Sequence, residues 1–157
     1  MKIKLLMIGK TAFSYLEEGM ELYLKRLVHY TDLTLEIIPD VKRTAATSPQ
    51  KLKDLEAEAI LKKIGPRDVI VLLDEYGKTF SSLKFAAQVQ KWMQTGDKNM
   101  VFIIGGAFGF GNALHEKALM KISLSEMTFS HQMVRLIFLE QLYRAFTIIK
   151  NEPYHHK

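Results

Sequence analysis

The sequence predicts an α/β protein: a parallel β-sheet with helices packed on both faces. Two apolar runs carry most of the argument. Val69 to Leu73 (VIVLL) and Val101 to Ile104 (VFII) are uninterrupted and rich in β-branched residues, as expected of strands buried on both sides. Lys2 to Gly9 and Leu33 to Ile38 supply two further strand patterns. Between these runs apolar residues return every third or fourth position, so strands and helices alternate four or five times.

The first strand, KIKLLMIG, ends at Gly9. Ser14 is placed to cap a helix reaching about His29, with Glu17 three residues on completing a capping box. Leu16, Met20, Tyr23, Leu24 and Leu27 form its inner face. Pro39 stops the second strand, and Val41 to Thr47 is a polar loop carrying Lys42 and Arg43. Ser48-Pro49 opens the next helix, Ser as cap and Pro in the first helical position. Its inner face is read as Leu52, Leu55, Ala59 and Ile60, and Gly65-Pro66 closes it. The third strand runs into a polar turn, Asp74 to Lys78. Ser81 then caps a helix with Phe85, Val89, Trp92 and Met93 on one side.

The fourth strand meets the sequence Gly105-Gly106-Ala107-Phe108-Gly109-Phe110-Gly111. Clustered glycines let a backbone turn sharply and approach a ligand, because no Cβ intervenes. Asn112 is read as the N-cap of a helix to about Lys121, followed by a short segment, Ile122 to Phe129. The last helix spans about His131 to Ile149, and a tail runs from Asn151 to Lys157. In open α/β sheets, ligands bind beyond the carboxyl ends of the strands, which makes the glycine turn the expected site.

Size and composition bound the answer. With 157 residues, a single domain over 1–157 is expected. The chain is 48% hydrophobic and 25% charged, as soluble globular proteins are. No apolar run approaches the ~18 residues of a membrane span, and the N-terminus lacks a secretory pattern, so a cytoplasmic protein is expected. The absence of cysteine rules out disulfides and thiolate metal sites. A net charge of +5 is compatible with a polyanionic partner without requiring one.

Several chemistries are excluded. The glycines follow G-x-x-G-x-G after a fourth strand, not the G-x-G-x-x-G of a dinucleotide fold after a first. Asn112-Ala113 stands where a P-loop needs Lys and Ser or Thr. His29, His115 and His131 have no metal-ligand spacing, and no metal is expected. There is neither a G-x-S-x-G elbow nor a cysteine nucleophile. Asp74 and Glu75 either accept from a ribose or cap their own turn. Arg144 lies among apolar neighbours, where an arginine snorkels, faces an interface, or clamps an anionic group.

Three segments, VIVLLDEYGK, FIIGGAFGFG and SLSEMTF…VRLIFLEQLYRAFTIIKNEPYHH, resemble the large-subunit rRNA pseudouridine methyltransferase H family of the SPOUT class. The likeness extends over essentially the whole chain. It implies a three-layer α/β/α SPOUT fold with a C-terminal trefoil knot, which no general rule of chain topology would predict. It also implies binding of S-adenosyl-L-methionine, action as a homodimer, and methylation of N3 of a pseudouridine in 23S rRNA of the assembled 70S ribosome. Neither membrane nor metal enters this picture. Matched position by position, the family's cofactor contacts fall on Leu73, Gly105, Leu124, Ser125, Glu126, Met127, Thr128 and Phe129. Arg144 and His155 are the candidates for the substrate side. Where relatives often carry proline, this chain has Ala107 and Ser130, and Glu126 stands at a usually apolar position. Two other classes are weighed against this one. A non-catalytic RNA- or ribosome-binding module would take no cofactor, and a nicotinamide-dependent oxidoreductase is disfavoured by the glycine order.

Overall fold

A computed structural model describes residues 1–156. Five strands, β1 (Lys2–Ile8), β2 (Asp32–Ile38), β3 (Asp68–Thr79), β4 (Asn99–Ile104) and β5 (Met120–Ser123), form one sheet in the order β2-β1-β4-β3-β5. Every pairing is parallel. The five helices are α1 (Ser14–Leu27), α2 (Pro49–Leu61), α3 (Ser82–Met93), α4 (Asn112–Lys117) and α5 (Met133–Ile149). The expected layered α/β architecture is therefore present.

Alternation along the strands assigns the two faces. Leu5, Met7, Val71, Leu73, Phe102 and Ile104 face one core, closed by α1, α3 and α5. Leu6, Ile8, Ile70, Leu72, Val101 and Ile103 face the other, closed by α2 and α4. β4 occupies the middle of the sheet and is buried along nearly its whole length. The glycine turn thus leaves from the centre of the carboxyl edge.

Two of the predicted caps form. Ser48 Oγ accepts from Lys51 N at 3.1 Å and Ser81 Oγ from Lys84 N at 3.2 Å, each satisfying an otherwise orphaned donor. Two do not. Ser14 is the first residue of α1, whose cap is Phe13 with no side-chain bond. The entry to this helix is instead held by tertiary contacts: Ala12 N donates to Gln132 Oε1 at 2.8 Å, and Gln132 Nε2 donates to the Lys10 carbonyl. Asn112 likewise begins α4 without capping it, Gly111 occupying the cap position. That helix ends after six residues, not near Lys121, because Ala118 turns extended and the chain joins the sheet as β5.

The turn predicted at Asp74 to Lys78 is a continuation of β3. A register shift between Leu73 and Lys78 lets the strand resume pairing, with Lys78 opposite Ile122 and Thr79 opposite Ser123. Gly77 makes this possible. A Cβ built there would lie 2.6 Å from the backbone of Lys121 and Ile122, so no side chain fits while the two strands pair. The inner face of α2 also differs from the sequence reading: Glu56 and Ala57 are buried beside Leu52 and Ile60, while Leu55 and Ala59 are only partly so. Met93 is 39% exposed, and Ala86 takes its place in the core.

Gly77→Ala is expected to lower stability by about 3 kcal/mol, the scale of forced backbone displacement in a packed region. Urea unfolding reads this directly, and an unchanged midpoint would contradict the close approach of β3 and β5.

Candidate active site

A cavity of about 500 Å³ opens at the carboxyl edge of the sheet, over the ends of β3 and β4. Leu73 and Ile104 floor it, the glycine turn forms one wall and residues Leu124 to Val134 contribute another. Of the eight residues expected at a cofactor site, Leu73, Gly105, Leu124, Ser125, Met127, Thr128 and Phe129 line this one cavity. Glu126 does not. The three sequence segments do converge.

Short-range hydrogen bonds shape the walls. Ser123 Oγ donates to the Ser125 carbonyl at 2.7 Å, and Ser125 Oγ accepts from Met127 N at 2.9 Å. The segment after β5 is thereby turned back on itself instead of continuing as a strand. Within the irregular stretch of β3, Asp74 Oδ1 accepts from Tyr76 N at 3.0 Å, while Glu75 Oε2 accepts from Thr128 Oγ1 at 2.9 Å. The second contact ties the β3 extension to the opposite wall. Ser130 Oγ accepts from Met133 N at 3.1 Å, so this departure from the family pattern secures the start of α5.

Two buried charges that the sequence reading did not single out lie near this edge, Arg135 at the end of β1 and Glu56 beside Gly106. Arg135 is fully buried; Nη1 donates to the Gly9 carbonyl at 2.9 Å and to Thr11 Oγ1, and Nη2 to the Ile8 carbonyl at 2.7 Å. Among the described residues its Nε has no partner. Burial pulls its pKa down, and the charge of Asp40 acts against that. Glu56 is 6% exposed, and its Oε2 has no partner among the described residues. Burial raises its pKa; the Gly106 backbone N–H opposes the rise, Asp40 adds to it and Arg43 opposes it. A charged residue inside an otherwise apolar helical stripe is the sequence signal for both.

Arg144 and His155 are brought together, but outside the cavity. Arg144 donates through Nε and Nη2 to Glu140 Oε1 at 3.1 and 2.6 Å, and its Nη1 lies 3.2 Å from His155 Nδ1. Tyr154 donates to the same Glu140 oxygen at 3.0 Å and packs its ring 4.7 Å from the guanidinium carbon. Burial and the contacts with Tyr23 and Glu140 push the Tyr154 phenol well above its usual range. A guanidinium only donates, so Nδ1 accepts and a neutral His155 carries its proton on Nε2.

Comparison with known proteins decides the family. A profile described as "Predicted SPOUT methyltransferase" matches residues 1–155. The chain belongs to the SPOUT methyltransferases. Relatives named "Ribosomal RNA large subunit methyltransferase H" are similar over the full length of both chains. They are 55% identical in Flavobacterium psychrophilum, 51% in Parabacteroides distasonis and 53% in Flavobacterium johnsoniae. The five-stranded parallel sheet and its flanking helices suit this SPOUT assignment. Among the described residues no helix is long and apolar enough to cross a membrane, and no cluster of His, Asp and Glu has the form of a metal site.

The raised pKa of Glu56 makes stability depend on pH. The folded chain keeps a proton that the unfolded chain releases above its ordinary value of 4.5. The favourable contribution is therefore complete below that value and is lost as pH rises through the folded one. Glu56→Gln, which never ionises, is expected to gain in urea midpoint over the parent between pH 4.5 and pH 8. A constant difference across that range would show that Glu56 titrates normally.

Proposed function

We propose that this SPOUT protein is an S-adenosyl-L-methionine-dependent methyltransferase of large-subunit rRNA. The finer reading is methylation of N3 of a pseudouridine in 23S rRNA, on the assembled 70S ribosome, by a cytoplasmic homodimer. The observation that carries it is the convergence of Leu73, the glycine turn and the Leu124 to Phe129 segment on one cavity, in a chain whose full-length relatives bear an rRNA methyltransferase name. The trefoil threading of the C-terminal segment and the reading of residues 1–157 as one domain belong to the same proposal.

The cavity fits the cofactor in size and chemistry. Its volume lies within the range of small-molecule sites, and backbone groups of the turns alternate with apolar surfaces from Leu73, Leu124 and Met127. These side chains would pack the adenine, while backbone N–H and C=O groups of Gly105 and of residues 124–129 would hold its polar edge and the ribose. When bound, S-adenosyl-L-methionine supplies an electrophilic methyl group, leaving the protein mainly to align it with the nucleophilic nitrogen.

Arg144 and His155 serve the substrate side. They lie outside their own chain's cavity, so the reading requires a second subunit to bring such a cluster to the site. Glu140 fixes the guanidinium, Tyr154 covers one side of it, and His155 presents Nε2–H as a donor. Two donors of this kind stabilise the negative charge left on a uracil-type ring when its N3 proton departs to water. In this tautomer His155 donates to the base and does not take its proton. Tyr154 and His155 also offer ring faces on which an unstacked base of an RNA loop can rest.

Methyl incorporation into ribosomes from a strain lacking the modification, followed by mass spectrometry of the rRNA fragment, tests the function. One methyl group on a single pseudouridine is expected; cofactor-independent ribosome binding without transfer would favour a binding module. Arg144→Ala is expected to leave cofactor affinity within about twofold while lowering the transfer rate about a hundredfold or more, the scale of losing one charge-stabilising donor. Loss of cofactor affinity by calorimetry would overturn that assignment.

A further inference from the structure

We infer that Tyr30 and Glu152 are positioning residues for the substrate-side cluster: their hydrogen bond latches the C-terminal tail so that His155 lies against Arg144. The inference rests on the reading of Arg144 and His155 above. It adds two residues that lie outside the cavity, one in the turn after α1 and one just beyond α5.

Local chemistry turns the tail back. α5 ends in a Schellman motif: Asn151 N donates to the Ile148 carbonyl at 3.1 Å and Glu152 N to the Thr147 carbonyl at 2.9 Å. Asn151 supplies the left-handed residue this motif needs, with φ at 56°. The residues that follow return to the face of α5 that carries Glu140, Tyr143 and Arg144, positions three and four apart. There the Tyr154 ring lies 4.7 Å from that of Tyr143, and His155 Nδ1 lies 3.2 Å from Arg144 Nη1.

Beyond α5, the tail is held from α1 and the turn after it. The Tyr30 hydroxyl donates to Glu152 Oε2, and the Tyr23 and Tyr154 hydroxyls stand 3.5 Å apart. The first contact is the stronger, because its acceptor is a carboxylate and the second is at the limit of hydrogen-bond length. Tyr30 is itself fixed. Its N donates to the Leu27 carbonyl at 2.9 Å, and its ring centre lies 5.9 Å from those of Tyr143 and Phe146.

Global stability does not account for the pair. Glu152 is exposed and has no ion pair within 4 Å among the described residues. A single exposed polar contact adds little to the stability of a whole chain. Its effect is local: an unlatched tail must be ordered each time the cluster forms, and a latched one is ordered beforehand.

Three variants separate the latch from the packing. Tyr30→Phe removes the hydroxyl and keeps the ring, Glu152→Ala removes the acceptor, and Glu152→Gln keeps one. The rate of methyl transfer to ribosomes is expected to fall about tenfold in the first two, the equivalent of one hydrogen bond, and to stay within about threefold of the parent in Glu152→Gln. S-adenosyl-L-methionine affinity by calorimetry and the urea midpoint stay at parental values. Because the latch acts through His155, adding Tyr30→Phe to His155→Ala is expected to cost no further rate. Parental rates in Tyr30→Phe and Glu152→Ala would overturn the inference, as would a loss that adds in full to that of His155→Ala or one that tracks a fallen midpoint. NMR reads the positioning without catalysis: the Overhauser effect between the Tyr143 and Tyr154 rings weakens when the latch is removed. If the parent transfers no methyl group, the functional reading fails and this ring contact still decides the positioning: weakened in Tyr30→Phe supports it, unchanged refutes it.

Discussion

The Arg135 guanidinium, bonded to the carbonyls of Ile8 and Gly9, is the contact on which the carboxyl edge of the sheet depends. β5 lies at one edge of the sheet and β1 lies beyond β4 and β3. The chain leaving β5 must cross the ends of those strands before α5 can pack between α1 and α3. Arg135, helped by Gln132 on Ala12 and Lys10, fixes where that crossing ends. Segment 124–132 is thereby stretched over the ends of β3 and β4, which creates the cavity. A buried cation with no carboxylate partner is costly in isolation, and three oxygen acceptors offset that cost only in this one arrangement.

Other charged groups and several glycines gather near the same edge. Asp40 lies against Gly9, its carboxylate 2.7 Å from where a Cβ would stand, and bears on both Arg135 and Glu56. Glycines at 9 and 109 adopt positive φ, and those at 105, 106 and 111 are crowded by neighbours. The middle of the sheet, by contrast, is plain aliphatic packing. Concentrating glycine turns and partly satisfied charges at one rim, on a rigid sheet, is how a fold holds a ligand site without yielding its core.

Much of this was legible in the chain itself. Uninterrupted β-branched runs marked β3 and β4, and Ser48 and Ser81 capped as local chemistry dictates. The glycine turn was legible as a ligand site because it follows a strand's carboxyl end; Leu73 and residues 124–129 were named from the family resemblance, and the structure brings all but Glu126 to the same cavity. What escaped was tertiary. Ser14 and Asn112 had the right chemistry for caps but lost the position to contacts made by Gln132 and to the tight glycine turn. The β3 extension depended on Gly77 meeting a strand more than forty residues later. Glu56 and Arg135 were hidden because a charge inside a helical stripe is usually solvated; here the partner groups come from other elements.

The central claim is that three distant segments build one pocket for an adenosyl sulfonium ligand. Hydrogen exchange by mass spectrometry, with and without S-adenosyl-L-methionine, tests it most directly. Protection is expected together at the end of β3, through the glycine turn and across residues 124–130, with the opposite edge of the sheet unchanged. Protection confined to other elements, or none at saturating ligand, would contradict the account.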